Sequence, residues 1–233
     1  MTGYQTGQAS IAIEGADDLI IRSLLDRQQY HDPAGAALRL GICSASWPLF
    51  GLVWPSGIQL AIQLANRPVC KRERILEIGC GLGLASLVGH RRGANITASD
   101  CHPLAEKFLD HNAELNGLSP LAYFHGQWGP KAARKAPLDG TAILSGQYDL
   151  IVGSDLLYER GMPEALADFI DDHATPSAEV WIIDPNRGNR PAFNRHMAAF
   201  GFSLVSDTRL DHQVTSGEAL GEGYKGRLLV YER

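Results

Sequence analysis

The chain has 233 residues, 45% of them hydrophobic and 20% charged, and a formal net charge of −5. That is enough for a full core in one or two domains, and the acidic balance argues against wholesale nucleic-acid binding, which needs a basic footprint. Four cysteines with no CxxC pair and no spaced histidine partners argue against a zinc site and a disulfide framework, so no metal is expected.

The opening MTGYQTGQAS has neither a basic segment nor an apolar core, so no signal peptide is expected. No apolar stretch reads as long enough to span a membrane, and a cytoplasmic location and a monomeric state are the default expectations. Residues 10–14 alternate like an edge strand. Residues 17–29 fit a helix capped by Asp17, with Leu19, Ile20, Leu24 and Leu25 on its apolar face. Together residues 1–45 read as an extension packing on a core domain of residues 46–233. The passage SWPLFGLVWPSG, residues 46–57, reads as irregular, with Ser56 a candidate cap for the helix that follows. The basic cluster at residues 71–74 reads as solvated loop charge.

From Ile75 onward short apolar strands alternate with helical segments. Strands are expected at 74–78, 95–99, 121–125, 148–153 and 179–184. Helices are expected at 84–92, 103–116, about 163–172 and 191–200. That order predicts an α/β fold with a Rossmann-like, doubly wound sheet. The last two strand candidates, 202–209 and 227–232, have no helix between them, only a Gly- and acid-rich stretch at 211–223. Parallel neighbours need a long crossover, so the last strand is expected to enter antiparallel, completing a mostly parallel seven-stranded sheet.

The stretch ILEIGCGLGLA, Ile75 to Ala85, places a glycine-rich turn after a buried strand. A dinucleotide fingerprint G-x-G-x-x-G would put its third glycine at position 84, where this chain has Leu84. Glu77 stands two residues before Gly79, and a carboxylate there would repel a pyrophosphate by on the order of 1–4 kcal/mol at a partly exposed site. It would attract an ammonium. S-adenosylmethionine, which has an α-amino group, a sulfonium and no phosphate, fits that turn. Asp100, seventeen positions after Gly83 at the end of the next strand, can accept both hydroxyls of an adenosine ribose. It supports a ribose without choosing between the two ligands. The third strand runs into Gln127-Trp128-Gly129, where an adenine would lie, with Trp128 stacking and Gln127 bonding the base edge. The fourth ends YDLIVGSDLLYER and lacks the Asn/Asp-Pro-Pro-Tyr expected of nucleobase methylation.

These residues resemble the seven-β-strand S-adenosylmethionine-dependent methyltransferases. Within them, Trp54-Pro55-Ser56-Gly57, Gln127-Trp128-Gly129 and Asp155-Leu156-Leu157-Tyr158-Glu159 resemble methyltransferase family 16, which includes protein-lysine methyltransferases. The likeness covers roughly residues 50–202, and Asp184-Pro185-x-Arg187 is similar to the branch acting on electron-transfer flavoprotein. The resemblance implies that Glu77, Gly79, Gly81 and Gly83 hold the methionine end. Asp100 takes the ribose, Gln127 and Trp128 the adenine side, and Trp54 lines the pocket. Ser154 and Asp155 lie beside the methyl group, with Tyr158 facing the acceptor. Asp155 is the candidate proton acceptor and Tyr158 orients the amine. Trp54 and Trp47 are candidate walls of the acceptor slot. The expected activity is methyl transfer to a lysine of a protein. A small-molecule N-methyltransferase, closed over by the region before Ser46 and by residues 211–223, is one alternative. A cofactor-binding adaptor without turnover is another.

Overall fold

In the computed structural model, which describes residues 3–129, 134–210 and 224–233, the chain opens with two strands, β1 (Thr6–Ile11) and β2 (Leu19–Leu24). They pair antiparallel, Thr6 opposite Leu24 and Ile11 opposite Leu19, as a sheet of their own. This corrects the helix expected at 17–29 and the edge strand expected at 10–14. Leu19, Ile21 and Leu24 face the core while Ile20 faces outward, a two-residue alternation over most of the strand that the paired leucines had concealed.

A short helix α1 (Ala36–Arg39), a 3₁₀ turn (Trp47–Gly51) and α2 (Pro55–Asn66) follow. Then come β3 (Arg74–Ile78), α3 (Leu84–Arg91), β4 (Asn95–Asp100), α4 (Ala105–Leu115), β5 (Ala122–His125), β6 (Tyr148–Ser154), α5 (Met162–His173), β7 (Ala174–Asp184), α6 (Arg190–Ala199), β8 (Ser203–Leu210) and β9 (Gly226–Glu232). Ser56 does not cap α2: the helix starts with Pro55 after an extended Trp54, and the Ser56 hydroxyl lies 3.0 Å from the Tyr224 hydroxyl. The expectation that no apolar stretch reaches spanning length is also corrected. Trp47–Asn66 is long and apolar enough, yet it is interrupted at extended Leu52 and Trp54 and more than half buried, as a core helix is.

The main sheet runs β5-β4-β3-β6-β7-β9-β8. Six strands run in one direction, and β9 lies antiparallel between β7 and β8. The fold is therefore the α/β, seven-stranded, mostly parallel sheet expected, with the last strand reversed. Successive strand residues point to opposite faces, so Ile75, Leu150 and Val152 pack with Leu60, Leu64, Leu87 and Phe108. Leu76, Ile78 and Ile151 pack with Leu166, Ile170, Phe193 and Met197 on the other face. Chain order reverses direction between β3 and β6, and the crevice at the carboxyl ends of those strands is where ligands bind in such sheets. The stretch 211–223 lies outside the described residues.

The hairpin is joined to the core by Asn112 of α4 and by Asn116, the residue that caps its C-terminus. Asn116 accepts from Ile20 N–H at 2.9 Å and donates to Ile20 C=O at 2.8 Å. One turn earlier Asn112 accepts from Arg22 N–H at 2.8 Å and donates to Arg22 C=O at 3.3 Å. Each side-chain amide thus does for β2 what a neighbouring strand would do, and covers its open edge. Asn112 is fully buried, so Asn112→Ala leaves two backbone groups of Arg22 unpaired and is expected to cost about 1–3 kcal/mol. Urea unfolding checks this: the midpoint falls, and the slope is unchanged if the fold is otherwise intact.

Candidate functional site

At the carboxyl end of β3 the chain turns through Gly79-Cys80-Gly81-Leu82-Gly83. Cys80 N–H bonds to Ser99 C=O at 3.0 Å, and Gly83 N–H to Cys80 C=O at 2.7 Å, pulling the turn across the end of β4. Gly79 and Gly81 have φ of 60° and 53°, backbone that side chains strain to adopt. A methyl group on Gly81 would lie 2.8 Å from the Phe50 carbonyl oxygen. The turn borders a cavity of about 650 Å³. Gly79 and Gly81 line it; Gly83 does not, and instead caps α3.

Two buried carboxylates edge this turn. Asp100 Oδ2 accepts from Gly81 N–H at 2.9 Å and its Oδ1 from His102 N–H at 2.8 Å. Burial raises its pKa, and these backbone donors oppose the shift. Each oxygen keeps a second lone pair for a hydroxyl donor. Glu77 Oε2 accepts from the backbone N–H of Ser86 at 2.8 Å and from its hydroxyl, closing the first turn of α3. Burial pushes Glu77 up to about 7 against those two bonds, with Asp100 adding repulsion. Both carboxylates line the cavity.

Beyond β5, Trp128 and Gln127 form the next wall. The Trp128 indole N–H points to Met162 Sδ at 3.1 Å, and its ring meets Phe169 edge-on at 5.7 Å. Gln127 is engaged at both ends, donating to Leu40 C=O at 2.7 Å and accepting from Lys135 N–H at 3.0 Å. It shapes the wall by tying the N-terminal region to it. Phe50 stacks flat on His102, 3.6 Å between centroids, and both line the cavity.

The other end is built by Trp54, Ser154, Asp155 and Tyr158. The Trp54 indole donates to Leu49 C=O at 2.8 Å, and the Arg27 guanidinium lies over its ring at 4.9 Å. Asp155, in left-handed backbone at φ 57°, receives both a 2.5 Å and a 2.9 Å bond from the guanidinium of Arg187. Burial raises the pKa of the Tyr158 hydroxyl, with Cys101 the next largest cause. Trp47 does not wall the slot: it is buried among Tyr4, Tyr30, Phe50 and His102. The cavity thus brings together Trp54, Glu77, Gly79, Gly81, Asp100, Gln127, Trp128, Ser154, Asp155 and Tyr158, leaving out Gly83. Arg27, Phe50, His102 and Arg187 are among the wall residues that the sequence did not assign to the site. Arg187 was visible in DPNR, whereas Arg27 was hidden in a segment read as helix. Among the described residues no group of three His, Cys, Asp or Glu is placed to hold a metal ion.

A mostly parallel α/β sheet with a glycine turn, an acid at the end of each of β3 and β4, and a cavity at the switch point defines a nucleoside-binding fold of the methyltransferase type. A family model for lysine methyltransferases matches residues 49–196, and the chain belongs to that family. The mouse electron transfer flavoprotein beta subunit lysine methyltransferase is 29% identical over 155 residues, 64% of this chain and 54% of the mouse protein. The zebrafish protein N-lysine methyltransferase METTL21A is 33% identical over 132 residues, 53% of this chain and 56% of that protein. This chain spans about half to two thirds of the length of such relatives. Among solved structures, magnesium protoporphyrin IX methyltransferase from Synechocystis PCC 6803, with bound SAM, aligns at a TM-score of 0.52 and 19% identity. The alignment covers 76% of this chain and 77% of that one. Precorrin-6y C5,15-methyltransferase from Geobacter metallireducens aligns at 0.55 and 13%, covering 75% and 88%. At such identities these structures speak for the fold.

Gly81→Ala is expected to destabilise by roughly 1–3 kcal/mol from backbone strain alone, and to crowd Phe50 into the cavity. Denaturant unfolding of the variant measures it. For Glu77, the folded pKa of about 7 exceeds its ordinary value of 4.5, so the folded state keeps a proton that the unfolded chain has released between those values. Its contribution to the stability of the ligand-free protein is full below about 4.5 and is lost as pH rises towards about 7. Urea titrations at intervals of pH, repeated with Glu77→Gln, should show that slope flattened in the variant.

Proposed function

We propose that this protein binds S-adenosylmethionine in the cavity and transfers a methyl group to a lysine side-chain amine of a protein. The observation that carries the reading is the placement of Asp155 and Tyr158 on the wall of the same cavity as Glu77 and Asp100. One carboxylate pair suits the two ends of an adenosyl amino acid, and the remaining acid stands where a basic acceptor would arrive. The ligand fits the residues present. Glu77 would hold the α-ammonium, Asp100 the ribose hydroxyls, Gly79 and Gly81 would let the backbone approach, and Trp128 would cover the base. When bound, it supplies a methyl group activated by a sulfonium.

The chain's own residues then have three tasks. An acceptor lysine reaches the site as an ammonium, and its proton must leave before nitrogen can attack. Asp155 would pair with that ammonium, take its proton or pass it to water, and hold the amine in line; Tyr158 would orient it. Trp54 and Leu156 would exclude water and lower the pKa of the amine by desolvation. Orientation of this kind can contribute roughly 7–11 kcal/mol of the barrier. The reading extends to a monomer working in the cytoplasm, with a protein as partner and neither nucleic acid nor membrane. The family membership and the named lysine methyltransferase relatives support the acceptor class.

Incubation with tritiated adenosylmethionine and lysate should label a discrete protein band, with the label recovered as methyl-lysine on hydrolysis. Label confined to small molecules contradicts the acceptor class, and no label at all with tight cofactor binding favours an adaptor. Asp155→Asn is expected to lower kcat by about 10²–10⁴ while leaving cofactor affinity within a few-fold, read by the same labelling and by calorimetry.

A further inference from the structure

The strands β6 and β7 are neighbours, and each is followed within two residues by one with left-handed backbone: Asp155 at φ 57° and Asn186 at φ 62°, the positive-φ residues other than glycine among those described. The two loops that follow are held to one another. Asn189 of the second loop donates to Leu157 C=O of the first at 2.9 Å, and the second loop is tied to its own strand, where Asp184 Oδ2 accepts from Asn186 N–H at 3.1 Å. Backbone anchoring of this kind leaves Arg187 as a long side chain on a fixed base. Its guanidinium forms a bidentate pair with both oxygens of Asp155 from the open side: the Asp155 side chain is 11% exposed and that of Arg187 41%. Both residues line the cavity.

Resting on the proposed function, we infer that Arg187 is the resting-state occupant of the acceptor-ammonium position, and that an incoming lysine displaces it from Asp155. The physical reason is the cost of a largely buried carboxylate with no counter-ion. Among the described residues Asp184 and the hydroxyls of Tyr158 and Tyr224 also interact with Asp155, and none of these three supplies a positive charge; Arg27, the other arginine of the cavity wall, lies over the Trp54 ring. Arg187 therefore neutralises Asp155 while the site waits, and a lysine ammonium offers the same carboxylate an equivalent charge from inside the cavity. The exchange of one cation for another keeps the site neutral throughout. After transfer the methylated amine is again a cation, and the return of Arg187 to Asp155 favours its departure. Arg187 is in this account a positioning residue: it acts on the acceptor through Asp155.

The test is competition, with the full chain saturated in S-adenosylhomocysteine. Nα-acetyl-lysine methylamide serves as the minimal lysine side chain, and Nα-acetyl-norleucine methylamide as its uncharged counterpart. Dissociation constants are read by NMR titration. Arg187→Gln is expected to bind the lysine probe about fivefold tighter or more, the shift expected from removing a partly exposed competing ion pair. The norleucine probe should bind as in the wild type. Arg187→Lys, which keeps the charge but loses the two-pronged grip, should fall between the two, and it carries the test should the glutamine variant not fold. Equal or weaker binding of the lysine probe by the variants overturns the inference. So does a parallel change for both probes, which is the mark of a merely structural role, and so does no detectable binding by either variant. Lysate labelling by the wild type separates the two levels. Labelled protein with no tightening in the variants removes the role of Arg187 alone; tightening without any labelled protein removes the enzymatic reading.

Discussion

The site depends on one hydrogen bond, from the backbone N–H of Gly81 to Asp100 Oδ2. It joins the turn after β3 to the end of β4, within a turn that Gly79 and Gly81 take through positive φ. The same carboxylate holds the His102 N–H, which fixes the start of the next loop and sets His102 flat against Phe50. Glu77 does the corresponding work on the other side by bonding Ser86 in the first turn of α3. Two acids buried in the sheet thus shape the backbone of the turn and still border the cavity. Their raised pKa values follow from that double duty: burial costs the charged forms, and the backbone donors offset only part of it.

Around this frame the far end of the cavity is assembled from elements distant in sequence. Trp54 comes from the approach to α2, Asp155 and Tyr158 from the loop after β6, Arg187 from the loop after β7, and Arg27 from the N-terminal region. Adjacency of β6 and β7 in a parallel sheet brings the two loops side by side, so an ion pair between residues 32 positions apart becomes a local event. The partner of Asp155 is therefore set by topology rather than by any single motif.

Much of the core was legible in the sequence because its signals are local. Apolar strands such as 74–78 and 148–153 alternate with helices whose periodicity is strong, and the glycine turn announces its own strand and helix. The reversed β9 could be argued from the missing crossover helix. The hairpin could not be read in this way. Leu19, Ile20, Leu24 and Leu25 satisfy a helical stripe, and what makes residues 19–24 a strand is a partner in β1 and the amides of Asn112 and Asn116, about ninety residues later. The site shows the same division. Glu77, Gly79, Gly81, Asp100 and Trp128 were visible at strand ends, where a doubly wound sheet points its ligands. The engagement of Gln127 with Leu40 and Lys135, the core position of Trp47, and the grip of Arg187 on Asp155 are tertiary facts that no spacing encodes.

With Leu84 in place of a third fingerprint glycine and Glu77 beneath it, this turn suits an adenosyl amino acid and not a dinucleotide. Isothermal titration of the purified protein with S-adenosylhomocysteine and, separately, with NAD tests it most directly. One equivalent of S-adenosylhomocysteine should bind, weakened strongly by Asp100→Ala, with no heat from NAD. Saturable binding of NAD, with none of S-adenosylhomocysteine, would contradict it.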